Sequence, residues 1–224
     1  MKKLLLSAAV AVIGFTQISA QDFSFGAKAG ANFSTVTGDV DDTTMRVGLH
    51  VGAVAEYMLN DKMALQAELL YSMQGTKNEY QETELVDSFL ETYKDEATVK
   101  LDYINIPVMF KYYVTEGLSV EAGPQVGFLI SAKLDLESTY TYNDEGTIVT
   151  ESSKLSDFDV KDTFKTLDFG LNFGLGYKLD NGLNFGARYN LGLANTSDNS
   201  DNFPGDPDLD TKNSVIQVSV GFMF

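Results

Sequence analysis

The 224-residue chain is acidic and rich in glycine and aromatic residues, with 32 Asp plus Glu against 16 Lys plus Arg, 19 Gly, 15 Phe and 11 Tyr. The absence of Cys excludes disulfide frameworks, thiolate metal sites, cysteine nucleophiles and a lipoprotein anchor. A net charge of −16 argues against a nucleic-acid partner, because phosphates must be neutralised by Lys and Arg. The hydrophobic fraction of 44% is too high for a wholly disordered chain.

The first residues have the three parts of a secretory signal peptide. Lys2 and Lys3 give a positive start, residues 4–15 are apolar, and Ile18-Ser19-Ala20 forms the cleavage site. The apolar run is shorter than the about 20 residues of a membrane-spanning helix. We therefore predict a signal peptide over residues 1–20, cleaved after Ala20, and a single domain over residues 21–224 that is exported to a Gram-negative envelope.

The remaining chain alternates apolar and polar residues with the period of two that is typical of half-buried strands. Leu65 and Leu69, for example, occupy odd positions and share one face of the predicted strand, whereas Gln66 and Glu68 occupy even positions and share the other. Eight segments share this pattern: 23–34, 45–59, 62–74, 99–114, 118–131, 165–179, 183–194 and 213–224. Most are longer than the about 9–11 residues of a tilted membrane-spanning strand. The sequence predicts an all-β fold, an eight-stranded antiparallel up-and-down transmembrane β-barrel.

Short and long connections alternate between the eight predicted strands. Three-residue turns are predicted at 60–62, 115–117 and 180–182, and long polar connections at 35–44, 76–98, 132–163 and 195–212. All short turns and both termini then lie on one side of the membrane, as in outer-membrane barrels. The long connections hold 23 of the 32 acidic residues, so the acidity belongs to one presented surface. Self-repelling solvated loops explain this acidity, and divalent cations that bridge carboxylates to lipid head groups are the alternative.

A soluble calycin-like barrel, with its apolar face inward, is the alternative fold. The polar faces of the predicted strands contain many glycines, which suit a crowded, narrow interior. Aromatic residues on the apolar faces resemble the two girdles of membrane barrels, with Tyr57 and Phe110 near the turns and Phe33, Tyr71, Tyr103 and Tyr189 near the loops. The last strand ends on Phe224, as the assembly signals of outer-membrane proteins do. These features favour the membrane barrel.

The lumen of an eight-stranded barrel is narrow enough for side chains to fill, whereas aqueous channels appear at about 16 strands. The predicted inward set has nearly balanced charges: Lys28, Arg46, His50, Glu56, Glu68, Lys111, Glu121, Gln125, Asp168, Lys178 and Arg188. The turn at 115–117 places Lys111 opposite Glu121, which predicts a cross-strand ion pair in the lumen. We therefore predict a paired polar plug rather than a diffusion pore.

His50 is the sole histidine, and the register places it opposite Ser72. A serine–histidine dyad needs an orienting partner and an open site. The small neighbours Gly48 and Gly52 indicate a packed lumen instead. We expect no enzymatic activity, no catalytic residues, no cofactor and no metal site.

Five short motifs resemble the PorT-type, porin-family outer-membrane β-barrel domain of the Bacteroidota. They are Lys28-Ala29-Gly30-Ala31-Asn32-Phe33-Ser34, Glu68-Leu69-Leu70-Tyr71-Ser72, Tyr103-Ile104-Asn105-Ile106-Pro107, Gly123-Pro124-Gln125, and Ala187-Arg188-Tyr189 followed by Gly192-Leu193. The resemblance covers nearly the whole mature chain and implies a small barrel similar to the OmpA and OmpX type. One branch, PorT itself, is implicated in type IX protein secretion, and no motif here selects that branch.

The expected function is that of a structural, adhesive or scaffolding surface protein. The expected partners are outer-membrane lipid and lipopolysaccharide, the barrel-assembly machinery, and an extracellular or envelope protein bound through the long loops. The loops at 76–98 and 132–163 are the preferred contact regions, because long loops on a rigid scaffold carry most recognition. The alternatives are a narrow solute channel, an accessory subunit of a secretion machine and, less favoured, a lipid-modifying enzyme.

Overall fold

The computed structural model describes residues 23–40, 43–86, 89–144, 147–198 and 210–224. The predicted signal peptide and its cleavage site lie outside these residues. The described strands are β1 (Phe23–Gly38), β2 (Thr43–Asn60), β3 (Met63–Val86), β4 (Phe89–Tyr113), β5 (Leu118–Asp144), β6 (Thr147–Asp159), β7 (Leu167–Lys178), β8 (Leu183–Gly192) and β9 (Thr211–Met223). A short 3-10 helix, Lys161–Thr163, precedes β7. Within the described ranges, no helix has the length and apolar character needed to cross a membrane.

Eight of these strands form a closed antiparallel ring. Neighbouring strands pair in the order β1, β2, β3, β4, β5, β7, β8 and β9, and β9 pairs back onto β1. The pairing of β4 with β5 completes the ring. The predicted eight-stranded antiparallel barrel is therefore confirmed. The remaining strand, β6, pairs with β5 beyond the ring.

The alternation of residues along each strand places apolar side chains outside and polar ones inside. On β2, Val47 and Leu49 are 63% and 62% exposed, whereas Arg46 before them and His50 after them are buried. The same arrangement continues on β9, where Ile216 and the alternate residues after it are exposed. An apolar outer band around a polar interior is the arrangement that the hydrocarbon of a membrane requires.

Both ends of the described barrel chain and all three short turns meet at one mouth. Ser24 and Phe224 line an open cavity of about 560 Å³ together with residues of the turns at 61, 115–116 and 179–182. Gly182 has a φ of +88°, a left-handed conformation that glycine adopts without steric cost. This end of the barrel is called the turn-side mouth, and the opposite end is the loop side.

Two of the predicted long loops are largely strands. The chain pairs within itself from β3 into β4 up to Val86 and Phe89, and from β5 into β6 up to Asp144 and Thr147. Residues 79–86, 89–98, 132–144 and 147–159 form a four-stranded sheet that continues beyond the ring, here called the protruding sheet. Its Thr, Tyr and Val residues favour strands. Because both of its faces carry polar residues, it lacks the apolar alternation that reveals the other strands.

Candidate functional site: the filled lumen

A cluster of polar side chains surrounds the carboxylate of Glu56 next to the turn-side mouth. Lys111 Nζ lies 2.6 Å and Lys178 Nζ 3.3 Å from its two oxygens. The Tyr113 hydroxyl donates to both oxygens, at 3.0 and 2.9 Å. Lys111 also donates to Gln66 Oε1 at 3.0 Å. Glu56 is only 1% exposed, so these partners replace the water that a free carboxylate needs.

A second cluster fills the lumen around Glu68 and Arg188. The guanidinium of Arg188 donates to both oxygens of Glu68, at 3.1 and 2.8 Å, and to Glu121 Oε1 at 3.0 and 2.8 Å. Lys28 Nζ lies 2.8 Å from Glu68 Oε2. Gln66 Nε2 donates to Glu68, which joins this cluster to the first one. The planar guanidinium of Arg188 forms a forked pair of bonds to Glu68 and still donates to Glu121, so this cluster is held by directional bonds as well as by charge.

The ion pair predicted between Lys111 and Glu121 does not form, although the two residues are cross-strand partners as expected. Lys111 pairs with Glu56, and Glu121 pairs with Arg188. Gly174 lies between Glu121 and Arg188 in the register, and its missing side chain lets the guanidinium reach across β7. A Cβ at Gly174 would lie 3.0 Å from Glu121 Oε1. In so narrow a lumen, groups two strands apart compete with direct neighbours, and the register alone cannot assign the pairs.

The layer beyond the ion clusters is a network of neutral amides around His50. His50 Nδ1 lies 2.8 Å from Asn32 Oδ1, which also accepts from Gln217 Nε2 at 3.1 Å. Ser72 is the cross-strand partner of His50, as the sequence predicts. Its Oγ accepts from Asn32 at 3.0 Å and from Gln74 at 3.1 Å. The described contacts therefore orient His50 toward an amide and leave Ser72 bonded to amides, without the histidine base that activates a nucleophile.

An apolar lid closes the loop side of the lumen. Four nearly fully buried residues form its centre, and three partly buried ones pack on them: Leu101, Tyr103, Leu129 and Ala132, with Val99, Val160 and Phe164. Hydrogen bonds hold the segment before β7 at this end, since Val160 N donates to Ala132 O at 3.1 Å and Lys165 N to Thr196 O at 2.8 Å. The lid thus combines residues of the barrel wall, on β4 and β5, with Val160 and Phe164 from the segment before β7.

Tyr103 belongs to this lid and not to the aromatic girdle predicted for it. Odd-numbered residues of β4 from Leu101 to Tyr113 face inward, so an aromatic residue at position 103 cannot contact lipid. Tyr103 is completely buried, and its hydroxyl accepts from Asn213 Nδ2 at 3.2 Å. The prediction was wrong because it rested on the aromatic type of the residue, whereas its odd-numbered position in the alternation of β4 indicates an inward side chain.

The structure places the other predicted inward residues in the lumen. Lys28, Arg46, His50, Glu56, Glu68, Lys111, Gln125, Asp168 and Arg188 are buried, and Glu121 and Lys178 are half-buried. Tyr113, Asn32 and Gln217 also belong to the networks and were not predicted. The alternation could have found all three, because Tyr113 lies two residues from Lys111, Asn32 lies four from Lys28, and Gln217 follows the outward-facing Ile216.

The space left among these side chains is small. A cavity of about 40 Å³ lies between the two ion clusters, lined among others by Glu56, Lys111, Glu121 and Arg188. A buried water needs about 10–15 Å³ of such space, so the cavity accommodates a few water molecules. The lumen thus has a small pocket between charged groups and an apolar lid beyond them.

The comparison with family models agrees with this architecture. The model described as "Outer membrane protein beta-barrel domain" matches residues 15–198, well over half of the chain. The chain belongs to this family. It is therefore an outer-membrane β-barrel protein of Gram-negative type. A search among curated proteins found no match.

The solved structures that the chain matches have very different sequences. Ail, the attachment invasion locus protein of Yersinia pestis, is 13% identical, with a TM-score of 0.42, and the match covers 91% of this chain and 100% of that one. Neisserial surface protein A is 13% identical, with a TM-score of 0.48, over 89% of this chain and 97% of that one. CarO of Acinetobacter baumannii is 14% identical, with a TM-score of 0.36, over 87% and 97%.

Proposed function

We propose that this outer-membrane barrel is a surface protein with a structural, adhesive or scaffolding role, exerted through the protruding sheet. The observation that carries the proposal is the contrast between the two parts of the molecule. The lumen is filled by mutually paired charges and covered by an apolar lid, whereas the protruding sheet is a large, ordered surface beyond the membrane.

The closed lumen supports a role other than solute transport. The buried charges bond to one another, and Val160 and Phe164 pack over the loop side. The contacts of His50 and Ser72 with amides also support a role without catalysis. We propose no cofactor or metal for this barrel.

The protruding sheet has the features of a contact surface. Residues 79–86 of β3 and the whole of β6 each pair with one neighbour only, so within the described residues the sheet has two free edges. Free strand edges present unpaired N–H and C=O groups to a partner chain. The pairing of β6 with β5 is irregular only near the barrel, where Asp157 has a φ of +57°, and it is continuous from Leu155 outward to Thr147.

We further propose, on the resemblance of the five motifs, that the chain is one of the PorT-type, porin-family barrels of the Bacteroidota. Under this proposal, residues 1–20 are a signal peptide, and the barrel-assembly machinery inserts the domain into outer-membrane lipid and lipopolysaccharide. The alternation of β9 up to Phe222 and Phe224, both exposed, supports recognition by that machinery. An envelope or extracellular protein is the proposed partner of the sheet.

Trimming one hairpin of the protruding sheet tests the surface role. Asn78 and Ala97 are cross-strand partners, so replacing residues 79–96 with an Asn-Gly turn keeps the barrel register. We expect the trimmed protein to fold in the outer membrane as the full chain does, measured by the gel shift between folded and unfolded forms. We then measure how well cells that display the protein attach to each other or to a protein-coated surface. Cells with the trimmed protein are expected to attach no better than cells without the protein.

The matched control is a variant that keeps the length of the hairpin and replaces only Thr83 and Thr92, cross-strand partners on one face, with Ser. This variant should attach like the full chain. Undiminished attachment by the folded, trimmed protein, or no attachment by the full chain, would contradict the surface role.

A further inference from the structure

The two faces of the protruding sheet differ in their distribution of charge. Cross-strand partners share a face, so the register assigns every residue to one side. Alternate residues that continue the lumen wall upward from Leu101 include Tyr93 on β4, with Tyr140 opposite it on β5 and Glu82 opposite it on β3. Glu151 of β6 completes this row. This side is here called the inner face, and the other the outer face.

Four tyrosines make the inner face aromatic. Tyr80, Tyr93, Tyr140 and Tyr142 lie on it, in three adjoining rows of the sheet. The rings of Tyr140 and Tyr142 stack with centroids 5.0 Å apart, and those of Tyr93 and Tyr140 are 6.3 Å apart. Tyr80 is 53% and Tyr93 43% exposed, so these ring faces are accessible to a partner. Exposed tyrosines are enriched where proteins bind each other, because a large rigid ring gains contact area at low entropic cost.

The carboxylates of the inner face bond to these tyrosines. Tyr80 donates to Glu82 at 2.8 Å, Tyr142 to Glu151 at 3.3 Å, and Tyr140 to Glu91. The hydrogen bond to Glu82 raises the pKa of Tyr80, and the hydrogen bond to Glu91 raises the pKa of Tyr140. These two phenols therefore remain neutral, and the charge of the face comes from its carboxylates.

The lysines of the same four segments all lie on the outer face. They are Lys94, Lys133 and Lys154, with Lys77 and Lys100 at the base of the sheet. Lys154 pairs with Glu137 at 3.0 Å and Lys77 with Glu96 at 3.0 Å, both on that face. The hydrogen bond to Glu137 raises the pKa of Lys154, so its ammonium stays charged at neutral pH. On the outer face, Glu96, Asp135 and Glu137 thus have cationic partners, whereas among the described residues no carboxylate of the inner face has one.

We propose that the inner face of the protruding sheet binds a basic polypeptide segment rich in arginine, with the tyrosine rings as stacking surfaces and the carboxylates of that face as counter-charges. This inference rests on the proposed surface role and names the class of partner. Arginine fits this surface better than lysine, because its planar guanidinium stacks on aromatic rings and forms forked bonds to carboxylates. A second copy of the chain or an anionic lipid head group would instead meet like charge.

The probe that tests the proposal is a fluorescently labelled oligo-arginine peptide, titrated into the full folded chain in a non-ionic detergent. Fluorescence anisotropy reports binding, with oligo-lysine and oligo-glutamate peptides in parallel. We expect oligo-arginine to bind more tightly than oligo-lysine, oligo-glutamate to remain free, and binding to weaken at high salt because surface charges are screened.

Matched pairs of variants locate the binding surface. Tyr93→Ala with Tyr140→Ala removes a cross-strand pair of the inner face, and Thr92→Ala with Thr141→Ala removes the adjacent pair of the outer face. We expect the first to weaken oligo-arginine binding by about tenfold or more, as loss of a central interface tyrosine typically does, and the second to leave it unchanged. Removal of two inner charges, Glu82→Gln with Glu151→Gln, should weaken binding far more than removal of two outer ones, Glu96→Gln with Glu137→Gln.

Equal losses from the inner and outer charge variants would mean general attraction to an acidic protein and would overturn the proposal. Absence of binding by the folded full chain would also overturn it. In a third outcome, the unmodified barrel forms a dimer that the variant Tyr93→Ala with Tyr140→Ala does not form. That result would overturn the proposal and assign the inner face to a second copy of the chain. None of these three results would affect the surface role itself, which fails only in the attachment experiment with the trimmed hairpin.

Discussion

Replacing Glu68 with Gln should be among the most destabilising single changes in this barrel. Glu68 is the carboxylate partner of Lys28 and shares Arg188 with Glu121. Its loss leaves the buried Lys28 ammonium without a counter-charge, a situation that typically costs about 3–5 kcal/mol. The measurement is urea unfolding of the protein in lipid vesicles, followed by the gel shift between folded and unfolded forms.

The matched control for this prediction is Glu137→Gln, which breaks the exposed pair with Lys154. An exposed ion pair contributes about 0–1 kcal/mol, so this variant should unfold nearly like the original chain. The double change Glu68→Gln with Lys28→Met removes both members of the buried pair and should recover part of the stability. A single Glu68→Gln variant as stable as the Glu137→Gln control would contradict a lumen held by charge pairing.

Replacing Leu69 with Lys should prevent stable insertion of the barrel. Leu69 is 55% exposed on the outside of β3, opposite the buried Glu68 side of the strand. A lysine that faces lipid near the middle of the membrane costs about 2–4 kcal/mol, and less toward either surface. The measurement is the folded fraction after refolding into vesicles, again by gel shift.

Thr83→Lys is the matched control, because Thr83 lies on the same strand and the same side, beyond the membrane in the protruding sheet. It should fold as the original chain does. Equal losses in the Leu69 and Thr83 variants would mean that Leu69 does not face lipid, and the assignment of the two faces of the wall would be wrong.

The barrel was predictable because a single physical rule governs all eight ring strands. Each strand has lipid on one side and the lumen on the other, so apolar and polar residues alternate, as Leu69 and Glu68 do. The short turns then fixed the register, and the expected pairs Lys111 with Glu121 and His50 with Ser72 are cross-strand partners in the structure.

The protruding sheet and the ion pairs could not be predicted by the same rule. Both faces of the sheet meet water, so Tyr93 and Thr92 carry no alternation between apolar and polar types. The ion pairs depend on which long side chains can contact each other across the lumen. Arg188 contacts Glu121 because Gly174, which lies between them, has no side chain in that space. Tyr103 shows the opposite error, since its position in the alternation was informative and its aromatic type was not.

The closed lumen is tested most directly by electrical recording from the folded protein in planar lipid bilayers, with insertion verified independently. We expect no steady current, because paired charges fill the described lumen around Glu56 and Glu68, the cavity between the two ion clusters is small, and an apolar lid lies beyond them. A steady, cation-selective current that changes in Lys111→Ala or Glu121→Ala would contradict this expectation and identify the lumen as a path for solutes.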